Sequence, residues 1–229
     1  MTPMIQISGT AFPGNAAGYD VVRLDPPSTA LLRAAAAAWQ DTPAIEWGPE
    51  RYRTRFQARW DAEALHVRFD AVDDGPWHTM TRRDDHIWEE EVVEIFLDLD
   101  HSGTHYAEIE LSPANVLCDV RMVRTVPERE GDLAFNLEGL RSRVVPRPST
   151  GWTGLVFVPW AGFRQLPSAA VVSLPPKPSD RWRFNVYRIE RPGGKKAPEK
   201  GAIFASWSPT GEESFHVPAS FQLFEFGPI

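Results

Sequence analysis

From Thr54 onward the apolar residues recur at every second position, in runs too short for ordinary helices and divided by glycine and proline. "TRFQARWD" (54–61) alternates Phe56, Ala58 and Trp60 with polar residues, and "ALHVRFDAV" (64–72) does the same with Leu65, Val67 and Phe69. Period two marks a strand with one buried face. The intervening Asp61-Ala62-Glu63 has the length of a hairpin loop. The pattern returns in "VVEIFLDLD" (92–100), "HYAEIEL" (105–111), "NVLCDVRM" (115–122), "GWTGLVFVPW" (151–160), "RWRFNVYRIER" (181–191), "AIFASW" (202–207) and "FQLFEF" (221–226). Loops rich in breakers separate them, such as "PRPST" and "PPKPSD". With no internal repeat and no boundary, residues 1–229 read as one all-β domain of roughly eight to ten strands. The expected architecture is an antiparallel, jelly-roll-like β-sandwich. One short N-terminal helix is expected over Thr29–Gln40, alanine-rich, preceded by Pro26-Pro27 and capped by Ser28.

The stretch "EIFLDLDHSGTHYAEIE" (94–110) carries the strongest local signal. A turn centred on Ser102 sets Glu94 opposite Glu110, Phe96 opposite Glu108 and Asp98 opposite Tyr106, all on one face. Carboxylates directly across a ladder repel by roughly 0.2–1 kcal/mol in exposed settings. A solvated acidic face accounts for them, and so does a concave site in which they accept hydrogen bonds from a ligand or from Arg188. "DLDHSG" copies the first half of a calcium loop with Asp98, Asp100, Ser102 and Gly103. The twelfth position is Ile109, where the helix–loop–helix site needs a bidentate glutamate. That excludes the full motif and leaves room only for a lone calcium at the Asp98–Asp100 turn; otherwise no cofactor is expected. His78, His86, His101 and His105 are near in sequence, but none has helical metal-site spacing on a helix.

Composition narrows the partners. A net charge of -7 argues against nucleic acid and anionic membranes. The single cysteine, Cys118, excludes an internal disulfide and a thiolate zinc cluster. No window approaches the roughly 18 apolar residues of a membrane helix. The first residues show no secretory pattern, so the chain as written is expected to be cytoplasmic, or secreted or periplasmic if a leader was removed. No nucleophile elbow, zinc-protease motif, P-loop or dinucleotide fingerprint is present. The enzyme alternative is therefore an acid/base pair of Glu94 and Glu110, with or without a metal.

The order of features carries a resemblance. "YRTRFQARWDAEALHVRFDAVDD", "IWEEEVVEIFLDLD", "HYAEIELSP", "VPWAGF", "WRFNVYRIERP", "SWSP" and "FHVPASFQLFEF" follow one another over about 50–226. Their most specific piece is W-x5-E-I-F-x-D, from Trp88 to Asp98. Together they resemble the family 9 carbohydrate-binding modules and their solitary relatives. The resemblance implies an antiparallel sandwich that binds a saccharide, or a similar polyhydroxylated ligand, without catalysis. Trp88 and Trp207 would be its aromatic walls, Glu94 its sugar-facing carboxylate, and Asn185 and Arg188 its polar partners; the hairpin pairing adds Glu110 to the expected binding residues. The closing strand lacks the family's usual glycine, reading "SFQLFEF". Related sandwiches bind haem through methionine and histidine, for which Met80, His86 and Met122 are the candidates. A protein-interaction surface anchored by tryptophans is the remaining class.

Overall fold

The protein is described from a computed structural model, which covers residues 5–8, 18–23, 32, 36–124, 128–194 and 201–227. Fourteen strands run in chain order: β1 Ile5–Ser8, β2 Gly18–Arg23, β3 Ile45–Trp47, β4 Thr54–Trp60, β5 Ala64–Ala71, β6 Val92–Asp98, β7 Tyr106–Leu111, β8 Leu117–Arg124, β9 Glu130–Asp132, β10 Arg141–Arg147, β11 Gly151–Pro159, β12 Arg181–Glu190, β13 Ile203–Ser206 and β14 Gln222–Phe226. They form one curled sheet in the order β10-β11-β5-β4-β2-β14-β12-β6-β7-β8-β9, with β3 on β4 and the β1–β13 pair on β12. The curl makes two layers, β3, β4, β5, β10 and β11 facing β6–β9 and β12–β14, with β2 as the seam. The expected sandwich is therefore present, with one amendment: β1–β13, β14–β2 and β2–β4 pair in parallel. Parallel neighbours need long connections, and each of these pairs joins segments distant in the chain.

The period-two residues fill the interior. Phe56, Val67, Phe69, Trp152 and Val156 from one layer meet Ile95, Leu97, Ile109, Phe184, Val186 and Phe224 from the other, all at most 2% exposed. Six of the nine tryptophans (Trp39, Trp47, Trp60, Trp152, Trp160 and Trp182) are buried. That leaves Trp77, Trp88 and Trp207 partly open to solvent. Of the helix expected over Thr29–Gln40, residues 29–31 and 33–35 lie outside those described, as does Ser28. The described part, Ala36–Trp39, is a 3-10 turn. Gln57 holds its end by donating to the carbonyls of Trp39 (2.9 Å) and Thr42 (2.7 Å). The α-helical residues described are the single turn Trp160–Phe163.

The hairpin register is as expected: Glu94 pairs with Glu110 and Phe96 with Glu108. At its tip Asp98 accepts from the Gly103 amide (2.9 Å) and Asp100 from the Ser102 amide (3.1 Å). His101 and Gly103 take left-handed conformations, with φ 62° and 64°. Side-chain oxygens that bond their own backbone define this turn type, so these two carboxylates are engaged by their own loop.

Candidate functional site

The sandwich has a second apolar cluster on the outer face of β6, β7, β8 and β12. Val92, Phe96, Tyr106, Cys118, Val120, Met122, Tyr187 and Ile189 form it, and two loops cover it. Residues 77–91 are held by Glu90 and Glu91. Glu90 accepts from the amides of Thr79 (2.7 Å) and Met80 (3.2 Å), and Glu91 from that of Trp77 (2.7 Å). This places Trp88 in a 3-10 turn, Ile87–Glu89, with Ile87 fully buried beneath it. Residues 208–221 are held from the sheet: Tyr187 donates to the Phe215 carbonyl (3.0 Å) and stacks on its ring (4.3 Å, 19°). The Tyr106 hydroxyl meets His216 Nδ1 at 2.8 Å.

Between the two loops the sheet is open as a cleft of about 570 Å3. Glu94 and Glu108 line it from the sheet, with Val120, Met122 and Ile189. Trp88, Phe204 and Phe215 supply rings, and Arg129, Arg191 and His216 supply nitrogen donors or acceptors. Three glutamates share this part of the outer face. Burial, and then the Glu108 charge, hold the Glu94 carboxyl well above its usual range. Glu110 is raised likewise by burial, by the charges of Glu94 and Glu108, and by a side-chain hydrogen bond with Glu108. Glu108 is pushed up to about 7 by burial. Burial, with Arg129 adding to it, pushes the His216 imidazole down to about 3, so it is neutral at physiological pH.

Of the residues expected at a site, Trp88 and Glu94 line this one cleft. Glu110 stands behind them, paired to Glu94 but outside the lining. The other three are elsewhere. Arg188 pairs with Val93, so strand alternation turns its side chain to the opposite side of the sheet from Glu94. There it bonds Asp73 (3.0 Å) and Glu190 and lies over the Trp152 ring (5.4 Å). Trp207 packs on Phe184 (5.1 Å, tilted by 34°) against the sandwich core. Asn185 is on the outer face but fully buried under the 208–221 loop. It donates to the Ser208 carbonyl (2.8 Å) and accepts from the Ser208 amide (3.0 Å). Asn185→Ala is expected to destabilise the protein by about 1–3 kcal/mol, since it strands two buried backbone groups. Chemical denaturation checks the loss, and proteolysis within 208–221 should accelerate.

Among the described residues, one group of three metal-ligating side chains has its oxygens within 4.8 Å of one another: Asp73, Glu91 and Glu190. A cation could be held there, but Arg188 already contributes a positive charge to the group. The haem candidates do not converge. Met122 lines the cleft, while Met80 and His86 line a neighbouring depression, where His86 stacks on Trp88 (4.4 Å).

Residues 33–122, the segment that supplies β3 to β8 with Trp88, Glu94, Glu108 and Glu110, match the family model described as "Carbohydrate family 9 binding domain-like". Over that segment, 90 of the 229 residues, the chain is similar to the family 9 carbohydrate-binding modules. Solved structures share the fold. A proposed carbohydrate-binding protein from Bacteroides uniformis ATCC 8492 aligns with a TM-score of 0.64 at 19% identity, over 92% of this chain and 99% of its own. A family 9 module from Caldicellulosiruptor kristjanssonii, in complex with glucose, aligns with a TM-score of 0.62 at 13% identity, over 93% and 97%. The cellotriose complex of a family 9 module from that organism gives the same score and identity over 93% and 94%. A curated relative, named "Extracellular protein", from Arthroderma benhamiae is 24% identical over 186 residues, covering 76% of this chain and 78% of that protein. The shared fold thus extends beyond the matched segment. The residues that complete the cleft in this chain (Arg129, Arg191, Phe204, Phe215 and His216) all follow it in sequence.

Proposed function

We propose that the protein binds a saccharide, without catalysis, in the cleft between the 77–91 and 208–221 loops. One observation carries this reading: a half-buried tryptophan, Trp88, shares an open cleft with two buried carboxyls, Glu94 and Glu108, and two arginines. Sugars present apolar C–H faces and hydroxyl edges. Rings stack on the former, and carboxyl, imidazole and guanidinium groups bond the latter. The resemblance adds support, since the family 9 module structures hold glucose and cellotriose. Trp88, Phe204 and Phe215 serve as walls in this reading, Glu94 and Glu108 as hydroxyl partners, and Arg129 and His216 as further polar contacts. The name of the Arthroderma relative favours an exported protein over a cytoplasmic one.

The enzyme alternative fits the cleft less well. Its two carboxyls should flank a bond from two sides, whereas Glu94 and Glu110 are neighbours on adjacent strands and Glu110 does not line the cleft. Calorimetric titration with glucose, cellotriose and a wider panel of neutral saccharides tests the binding reading. Trp88→Ala is expected to weaken the best ligand by about thirtyfold or more, with circular dichroism unchanged. Glu94→Gln is expected to weaken it less. Wild-type affinity in Trp88→Ala, or no response to any saccharide at millimolar concentration, rejects the proposal.

A further inference from the structure

Four glutamates, Glu89, Glu94, Glu108 and Glu213, line the cleft against two arginines. Behind the floor lies Glu110, 1% exposed, whose carboxyl crowds those of Glu94 and Glu108. A neutral sugar offers these buried acids no positive charge in exchange for the protons that burial makes them hold. Its hydroxyls bond carboxylates but bring no charge to offset their repulsion across the ladder. Arg129, exposed on the loop before β9, is a cation whose field reaches Glu94 and Glu108. A metal ion fits the floor poorly, because among the described residues the group of three side chains close enough to share one is Asp73, Glu91 and Glu190, away from it. The walls add a second preference. Trp88, Phe204 and Phe215 present ring faces or edges to the same space as the acids, and aromatic faces beside carboxylates attract an ammonium group by cation–π and charge-assisted bonding.

We propose that the cleft is selective for a saccharide bearing a free amine, whose ammonium group sits between Glu94 and Glu108 beside the aromatic walls. This rests on the saccharide-binding reading and sharpens it. Three hydrogen-bond donors on one ammonium match two carboxyls better than a hydroxyl's single proton. The ammonium also favours ionisation of both acids, removing the need for them to hold protons.

The test is calorimetric titration of the full chain at pH 7 with glucosamine, glucose and N-acetylglucosamine. N-acetylglucosamine keeps the nitrogen and removes its charge. Glucosamine is expected to bind about tenfold tighter than either of the others, and Glu108→Gln is expected to abolish the preference. Arg129→Gln removes a polar contact and is expected to weaken all three sugars, so its readout is the ratio: removing a competing cation should widen the preference, and a narrowed preference overturns the inference. Glucose binding as well as glucosamine, or a preference unchanged in Glu108→Gln, overturns the inference and leaves saccharide binding standing. No response to these three or to longer neutral saccharides overturns both.

Discussion

Replacing Arg188 by methionine is expected to lower the unfolding free energy by about 3–5 kcal/mol at neutral pH, the usual loss when one partner of a buried ion pair is removed. The arginine and its two partners, Asp73 and Glu190, are each at most 3% exposed. Asp73 is further fixed by the Gly75 amide (2.8 Å). Glu91 stands beside them, its carboxyl pushed up to about 9 by burial and then by the charge of Glu190. Methionine fills most of the arginine stem but leaves the Asp73 and Glu190 carboxyls in the interior with no guanidinium facing them. They must then protonate or admit water. The loss should therefore shrink from pH 7.5 to pH 5, where protonation is cheaper. The double variant Arg188→Met/Glu190→Gln should recover part of it, and a double-mutant cycle isolates the coupling. Urea denaturation at both pH values is the measurement. A loss under about 1 kcal/mol at pH 7.5 would mean that the guanidinium packs as a stem over Trp152 rather than holding the acids.

Arg188 also shows where a sequence stops informing about a site. The strands around it are legible because Trp182, Phe184 and Val186 alternate, and the register of the 92–111 hairpin follows from its glycine-containing turn. Which face of β12 looks toward Glu94 depends on its pairing with β6, across more than eighty residues of chain and with no local signal. A one-residue slip in that register would have put Arg188 beside Glu94. Trp207 fails for a related reason. Its alternation with Ile203 and Ala205 was readable, and the face they share is the core side, marked by Ala205 opposite Arg188. The neighbouring residue of opposite parity, Phe204, is the one that reaches the cleft. β10, "RSRVVPR", hides because Pro146 reads as a breaker; as the terminal strand of the sheet order it tolerates a proline. Arg129, Phe215 and His216 lie in irregular loops, where periodicity carries no information. Glu108 was visible on the acidic face, and its neighbours in space, rather than its spacing, make it part of the cleft.

The second large effect concerns pH. The protein is expected to lose stability steadily as pH rises from 6.5 to 9. Glu94, Glu108 and Glu110 all have folded-state pKa values above their ordinary ones, Glu108 at about 7 and the other two well above the usual range. A carboxyl raised in this way keeps its proton in the folded state while the unfolded chain has released it. The stability it contributes is complete below the unfolded value near 4.5 and is lost as pH climbs through the folded value. His216 has the opposite sign. Lowered to about 3, it favours unfolding as pH falls below about 6.5, so it masks the carboxyls on the acid side and leaves them exposed on the alkaline side. Each retained proton costs about 1.4 kcal/mol per pH unit in its window. Glu110→Gln should remove one retained proton, raising the melting temperature at pH 8.5 relative to the unsubstituted protein while changing it little at pH 5. Glutamine stays polar, so its amide still needs a partner in the same pocket. For that reason the diagnostic is the slope against pH rather than the absolute value. A melting temperature flat from pH 6.5 to 9, or parallel curves for protein and variant, would show that the three carboxyls ionise together at neutral pH. The cleft floor would then present a full set of negative charges rather than protonated acids, and a bound ammonium would meet carboxylates already ionised.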